Sequence, residues 1–373
     1  MKVLISIGTR PEAIKMAALI RALRNDKFFD LKVCNTGQHD QLINPVLELF
    51  EIKPDYNLGI MNPGVDITSM YSAILESFSQ LLKKIEPDIV LVHGDTATTF
   101  ASAMSAYLNR INIAHIEAGL RTNNLYSPWP EEGNRKLVGS ISNYHYAPTQ
   151  LAKNNLIMEG VKDKSIVVTG NTVIDSLLLA SSKLDSNQTL LNNLQNKYDF
   201  LDSDKKIILV TGHRRENFGE GFKNICNAIS KISNNNDVQF VYPVHLNPNV
   251  IEPVKEILKN HKNVFLIEPV GYIDFIYLMR MSYLILTDSG GIQEEAPSIG
   301  KPVLLMRDTS ERPEAIDAGT VLKVGAKEEN IIKYCQKLID DKALYSSMSN
   351  LKNPFGDGKA SEIIRTHLKE LKL

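Results

Sequence analysis

Cysteine is scarce in this sequence of 373 residues. Cys34, Cys226 and Cys335 are odd in number, far apart and in no CxxC or Cys/His spacing, which excludes a disulfide framework and a structural zinc site. They read as reduced residues in or near a core. An excess of one charge is also lacking: 42 Lys+Arg stand against 43 Asp+Glu, a net charge of −1. That balance argues against nucleic acid as a partner, because backbone binding shows as a basic excess on one face. No window reaches 18 unbroken apolar residues, and the run Val3 to Ile7 is too short for a signal peptide, so no membrane partner is expected and the protein reads as cytoplasmic. In that setting the match of Asn187-Gln188-Thr189 to an N-glycosylation site is chance. There is no Walker A motif and no HExxH, and the nearest approach to GxGxxG, Gly219-Glu220-Gly221-Phe222-Lys223-Asn224, lacks its third glycine. A P-loop phosphoryl-transfer enzyme and a nicotinamide or flavin site are therefore unsupported.

Short Val/Ile-rich runs recur between stretches of helical periodicity: Val3 to Ile7, Leu31 to Val33, Ile89 to Val92, Ile113 to Ile116, Tyr144 to Ala147 and Ile166 to Val168. Runs without polar alternation suit strands covered on both faces, hence a parallel sheet built from βαβ units. A second series follows at Ile207 to Val210, Val238 to Tyr242, Val264 to Ile267, Leu284 to Leu286, Val303 to Leu305 and Val321 to Val324. Between them lies the polar stretch Ser181 to Lys206, with one amphipathic helix around Leu190 to Tyr198. The expected fold class is α/β, with two Rossmann-like, doubly wound parallel-sheet domains facing across a cleft. Their expected extents are 1–170 and 171–358.

Ionisable residues stand where an open α/β sheet presents groups to a ligand, at the carboxyl ends of the strands. Arg10, Asp95, Glu117, His213 and Asp288-Ser289-Gly290-Gly291 each follow one of the runs. A single carboxylate there also serves as a helix cap or a surface ion pair. The Ser289 turn precedes a helix at Ile292 to Ala296, where glycines would let the backbone approach an anion; a Ser-capped helix is the alternative. Arg10 and His213 head matching turns of the two halves and would reach a diphosphate with it. Glu131 and Arg135 stand four apart if a helix starts at Pro130, and an i,i+4 surface pair is the plain reading. Arg-Pro-Glu-Ala-Ile occurs at 10–14 and again at 312–316, with Pro placed to start a helix in both.

These residues resemble the non-hydrolysing UDP-N-acetylglucosamine 2-epimerases of bacteria, which have the glycosyltransferase-B type of fold. The resemblance rests on Gly8-Thr9-Arg10-Pro11-Glu12-Ala13-Ile14-Lys15, His93-Gly94-Asp95-Thr96, Glu117-Ala118-Gly119-Leu120-Arg121-Thr122, Pro130-Glu131-Glu132 with Asn134-Arg135, Thr169-Gly170-Asn171-Thr172, Gly212-His213-Arg214-Arg215-Glu216-Asn217, Asp288 to Glu295, Glu311-Arg312-Pro313-Glu314 and Asn353 to Gly358. It implies interconversion of UDP-GlcNAc and UDP-ManNAc by inversion at C2, through elimination of UDP to a 2-acetamidoglucal and its re-addition, in support of surface polysaccharide synthesis. It implies no cofactor and no metal. Arg10, His213, Ser289, Gly290 and Gly291 fall to the diphosphate, Glu295 to the ribose and Arg312 to the nucleotide side; Lys15, Asp95, Glu117, Glu131 and Arg135 fall to the sugar. Which carboxylate is base and which acid stays open. Gln38, Gln41, Glu132, Arg214 and His245 match a regulatory second UDP-GlcNAc site, although Gly64 stands where some members have arginine. The resemblance further implies a homodimer and a C-terminal helix, within 359–373, that packs on the first domain. A hydrolysing 2-epimerase, a glycosyltransferase of the same fold and a catalytically silent nucleotide-sugar sensor are the rival readings.

Overall fold

The computed structural model describes residues 1–38, 40–60 and 66–372, apart from the side chains of Asp40 and Gln41. Apolar runs become strands wherever both faces are covered: Val3, Leu4 and Ile5 have no solvent exposure, nor do Ile89 to Val92. In the first unit they form β1 (Lys2–Ile7), β2 (Asp30–Asn35), β3 (Tyr56–Asn57), β4 (Ile89–His93), β5 (Asn112–Ile116), β6 (Tyr144–Ala147) and β7 (Ile166–Val168). All pair in parallel in the order β3-β2-β1-β4-β5-β6-β7. The second unit holds β8 (Lys206–Thr211), β9 (Val238–Pro243), β10 (Val264–Ile267), β11 (Leu284–Thr287), β12 (Val303–Leu305) and β13 (Val321–Lys323), parallel in the order β10-β9-β8-β11-β12-β13. Each sheet reverses its strand order once, at β1/β4 and at β8/β11. Such switch points open the crevice in which doubly wound sheets take ligands. Each unit therefore brings together the strand ends that carry its conspicuous residues.

The units divide just before the polar stretch that begins at Ser181, as the change of composition there suggests, but beyond the expected limit at 170 and short of that at 358. The first comprises Met1–Leu179 with Phe355–Leu373, the second Ala180–Pro354. The reason is a set of bonds that holds residues 171–179 to the first unit. Asn171 donates its N–H to the carbonyl of Phe355 (2.7 Å), and Asp175 accepts from the N–H groups of Ala360 (3.3 Å) and Ser361 (2.7 Å). The helix Ala360–Glu370 also lies in the first unit, where Arg365 and Lys369 pair with Asp26 and His367 meets the hydroxyl of Tyr146. The amphipathic stretch near Leu190 is the helix Gln188–Lys197, and both copies of Arg-Pro-Glu-Ala-Ile open helices, Arg10–Arg24 and the short Pro313–Asp317. The cysteines are free and buried, and burial pushes the thiols of Cys34 and Cys226 up to about 12. Among the described residues no helix is long and apolar enough to cross a membrane.

Candidate active site

In the first unit the turn after β1 is built around a buried carboxylate. A Cβ on Gly8 would lie 2.1 Å from Thr98 Oγ1 and 2.2 Å from Thr36 Oγ1, so only glycine fits. Thr9 caps the helix Arg10–Arg24, and Glu12 completes the capping box. Glu12 Oε2 accepts from Gly8 N (3.0 Å), Thr9 N (2.8 Å) and Thr9 Oγ1 (2.8 Å), while its Oε1 accepts from Thr96 Oγ1 (2.7 Å) and Thr99 Oγ1 (3.2 Å). Burial raises the pKa of this carboxyl group against those bonds. The knot ties the helix start bearing Arg10 and Lys15 to the β4 turn bearing Asp95.

Asp95 is fixed from the helix Glu131–Ile141. Its Oδ2 accepts from Arg135 Nε (2.8 Å) and Nη2 (2.7 Å), and its carbonyl accepts from Asn134 Nδ2 (2.8 Å). Arg135 Nη1 continues to Glu132 Oε2 (3.0 Å). Glu132 is fully buried, and its Oε1 accepts the N–H groups of Thr122 (3.1 Å) and Asn123 (3.0 Å). The pattern differs from sequence expectation twice. Arg135 is a buried partner of Asp95 and Glu132 rather than half of a surface pair, and Glu132, expected at a regulatory site, has both oxygens engaged within the protein. Glu131 is half-buried, and among the described residues its Oε2 is enclosed without a hydrogen-bond partner.

Glu117 follows β5 with φ at +60°, a left-handed conformation that non-glycine residues adopt at a cost and that clusters at functional sites. Its Oε2 accepts from Lys15 Nζ and from Asn171 Nδ2 (2.7 Å), and His93 Nε2 lies 3.8 Å away. Burial pushes the pKa of His93 down to about 4, leaving a neutral ring at neutral pH. Asn171 was named in the sequence only as part of a motif. Its role becomes visible once Phe355 and Gly356 are seen packed against Gly170, with the Phe355 carbonyl holding the Asn171 turn.

In the second unit Asp288, at the end of β11, is fully buried and organises the turn after β8. It accepts the N–H groups of His213 (3.0 Å) and Arg214 (2.9 Å) and the amide of Asn217 (3.3 Å), and its Oδ1 lies 3.8 Å from His213 Nδ1. The His213 ring stacks on that of His245 at 5.5 Å. Burial lowers the pKa of His213, with Asp288 acting against it. Ser289 precedes the helix Gly290–Glu295, but its side chain makes no capping bond, unlike the Ser-capped alternative. A Cβ on Gly290 would lie 3.8 Å from Arg214 Nη2 and 3.9 Å from the Arg312 guanidinium, so two cations flank the bare glycine. Arg312 is paired through Nε with the buried Glu294, and Glu295 accepts from Tyr272 Oη (2.7 Å). Arg214, assigned by resemblance to a regulatory site, thus stands beside residues assigned to the diphosphate. Gln38 accepts from Thr98 N (3.2 Å) and Oγ1 (2.9 Å). The side chain of Gln41 and all of Gly64 lie outside the described residues.

The family model for UDP-N-acetylglucosamine 2-epimerase matches residues 21–369. The chain belongs to this family. Among its relatives the UDP-N-acetylglucosamine 2-epimerase of Escherichia coli K12 is 54% identical over 370 residues, covering 99% of this chain and 98% of the relative. The solved structure of UDP-GlcNAc 2-epimerase from Neisseria meningitidis bound to UDP-GlcNAc superposes with a TM-score of 0.93 at 49% identity, over all of both chains. The Methanocaldococcus jannaschii UDP-GlcNAc 2-epimerase in complex with UDP-GlcNAc and UDP gives 0.82 at 36%, again over all of both chains. The two parallel-sheet units are those of the 2-epimerase family, and the fold class expected from the sequence holds.

Proposed function

We infer that the chain interconverts UDP-GlcNAc and UDP-ManNAc as a non-hydrolysing 2-epimerase. The observation that carries the reading is the set of carboxylates after β4, after β5 and at the start of the helix Glu131–Ile141: Asp95 forked by Arg135, Glu117 held left-handed between Lys15 and Asn171, and Glu131 with an enclosed oxygen that has no partner among the described residues. Inversion at C2 needs a proton removed from one face and returned on the other, which a single carboxyl group cannot do. No carbonyl adjoins C2, so a carbanion there would be unstabilised. Departure of UDP removes that obstacle: the C2–H bond breaks, its electron pair forms the C1=C2 double bond, the C1–O bond breaks towards the diphosphate, and the proton goes to a carboxylate. Re-addition reverses each step from the opposite face of C2. Atoms and electrons balance with no redox partner and no cofactor. A hydrolysing epimerase would instead let water capture the intermediate. Incubation with UDP-GlcNAc in D2O, followed by NMR, tests the reading. The expected result is UDP-ManNAc with deuterium at C2 and UDP retained; stoichiometric free ManNAc would move the chain to the hydrolysing class.

The second unit serves the leaving group. In it His213, Ser289, Gly290 and Gly291 take the diphosphate, Arg312 the nucleotide side and Glu295 the ribose; the family resemblance alone assigns Arg10 to the diphosphate and Lys15 and Arg135 to the sugar. His213→Ala or Arg10→Ala should weaken UDP binding in calorimetry by about 1.5 to 3 kcal/mol, the worth of a charge-assisted hydrogen bond, and slow turnover as well. Unchanged UDP affinity in His213→Ala would refute its assignment to the diphosphate. Gln38, Gln41, Arg214 and His245 are the contacts proposed for a regulatory UDP-GlcNAc. A cytoplasmic homodimer supplying surface polysaccharide synthesis completes the reading, and the exposed Leu125, Tyr126, Trp129 and Leu137 around an apolar cavity of about 610 Å³ support an assembly face.

A further inference from the structure

The mechanism above leaves His115 unused, yet this residue lies two positions before Glu117 on β5 and is almost fully buried. Its Nε2 is 2.7 Å from the carbonyl oxygen of Gly94. A carbonyl can only accept, so the neutral ring carries its proton on Nε2 and donates it there. Among the described residues Nδ1 then has no partner. The same glycine donates its N–H to the carbonyl of Ile116 (2.9 Å) and has φ at +70°. Gly94 is thereby clamped to β5 through both its N–H and its C=O, and the peptide that His115 holds is the one that leads into Asp95. On the far side of Asp95 its own carbonyl is held by Asn134. The end of β5, His115 and Ile116, thus sets the Asp95 turn and leads directly into Glu117.

We propose that His115 is a positioning residue that holds Asp95 in register with Glu117, so that the two carboxyl groups can work in one turnover on opposite faces of C2. This rests on the reading that both carboxylates move the C2 proton. Without the donor the Gly94–Asp95 peptide can rotate, because glycine offers no Cβ to resist it. Asp95, still tied to Arg135 and Asn134, then shifts relative to Glu117, which Lys15 and Asn171 hold. A misplacement of about 1 Å costs on the order of 10²-fold in rate. The loss is selective. Proton transfer at the face served by Glu117 continues, whereas that at the face served by Asp95 fails, so from the epimer whose C2 proton Glu117 removes, UDP-GlcNAc or UDP-ManNAc, deuterium enters recovered substrate faster than the other epimer forms.

The test compares the parent, His115→Met and His115→Gln, measuring kcat, KM, UDP affinity and, in D2O, the ratio of C2 exchange in recovered substrate to epimerisation, run from UDP-GlcNAc and from UDP-ManNAc and taken in the direction in which the variant raises it more. His115→Met should lose on the order of 10²-fold in kcat, keep KM and UDP affinity within about twofold, and raise the ratio at least tenfold. His115→Gln, whose amide N–H reaches the position of Nε2, should recover most of the lost rate and bring the ratio back. A His115→Met protein with parental kcat and ratio overturns the proposal, as does one in which kcat falls with no change in ratio. Should His115→Met fail to fold, His115→Asn, whose amide is too short to reach Gly94, must show the raised ratio; a parental ratio there overturns the proposal equally. Asp95→Asn separates the two levels: if it epimerises at the parental rate, the role of Asp95 itself is wrong, whereas an inactive Asp95→Asn beside a fully active His115→Met removes the tie alone.

Discussion

Replacing Asp95, Glu117 or Glu131 with the corresponding amide lowers turnover by roughly 10² to 10⁴, the usual contribution of a positioned acid or base, while UDP affinity survives. The amide keeps the shape and removes the proton site. The three variants differ in what else they disturb. Glu131→Gln alters an oxygen with no partner among the described residues, so its loss of rate should come without loss of stability. Asp95→Asn weakens the fork from Arg135, which still has Glu132. Glu117→Gln removes the carboxylate charge from its pair with Lys15, in which the side chains of Glu117 and Lys15 are 7% and 14% exposed. Loss of one partner of a buried pair costs about 3 to 5 kcal/mol, and the exposure of Lys15 places this one at the lower end. Glu117→Gln should therefore be both slow and thermally weakened. An amide variant that exchanges the C2 proton at the parental rate marks its carboxylate as structural.

Much of the architecture was legible because its cause is local. Strands buried on both faces must be apolar throughout, and every run picked on that ground is a strand. Tyr56–Asn57 was missed because two residues at a sheet edge make no run. The residues at strand ends were also legible, since a switch point needs no knowledge of partners. What stayed hidden are pairings across long stretches of chain. Asp288 looked like one more polar residue in a motif, and only the fold brings it under the N–H groups of His213 and Arg214, 75 and 74 positions away. Glu12, Asn171 and His115 were hidden for the same reason. The change of composition at Ser181 marked the division of the units, but the extent 1–170 fell short within helix 172–186, because the attachment of its first half depends on residues near 355–361.

Acidification from pH 7.5 to 5.5 should weaken the first unit by several kcal/mol. His93, His115 and His145 are 3%, 1% and 1% exposed, and burial pushes their pKa values down to about 4, 3 and 4 from 6.5. Once unfolded, each takes up a proton near pH 6.5; folded, none does until about pH 4. The unfolded state therefore binds more protons in this window, and stability falls as the pH falls, by up to about 4 kcal/mol per pH unit for three groups. These three rings alone contribute a loss of about 4 kcal/mol at pH 5.5. Glu12 and Asp175 act with the opposite sign, since burial raises their pKa values and their folded forms keep protons longer. Their effect sets in at the raised folded values and is complete near the ordinary 4.5 and 3.8, so it offsets part of the loss from the histidines. Trp129, the single tryptophan, belongs to the first unit, so its fluorescence in urea follows that unit's unfolding. Replacing His145 with Leu removes one titrating group and should lower the pH slope by about a third. Equal urea midpoints at pH 7.5 and 5.5, with unchanged m, would mean that these rings do not stay neutral in the folded protein, and the tautomer assigned to His115 would fall with them.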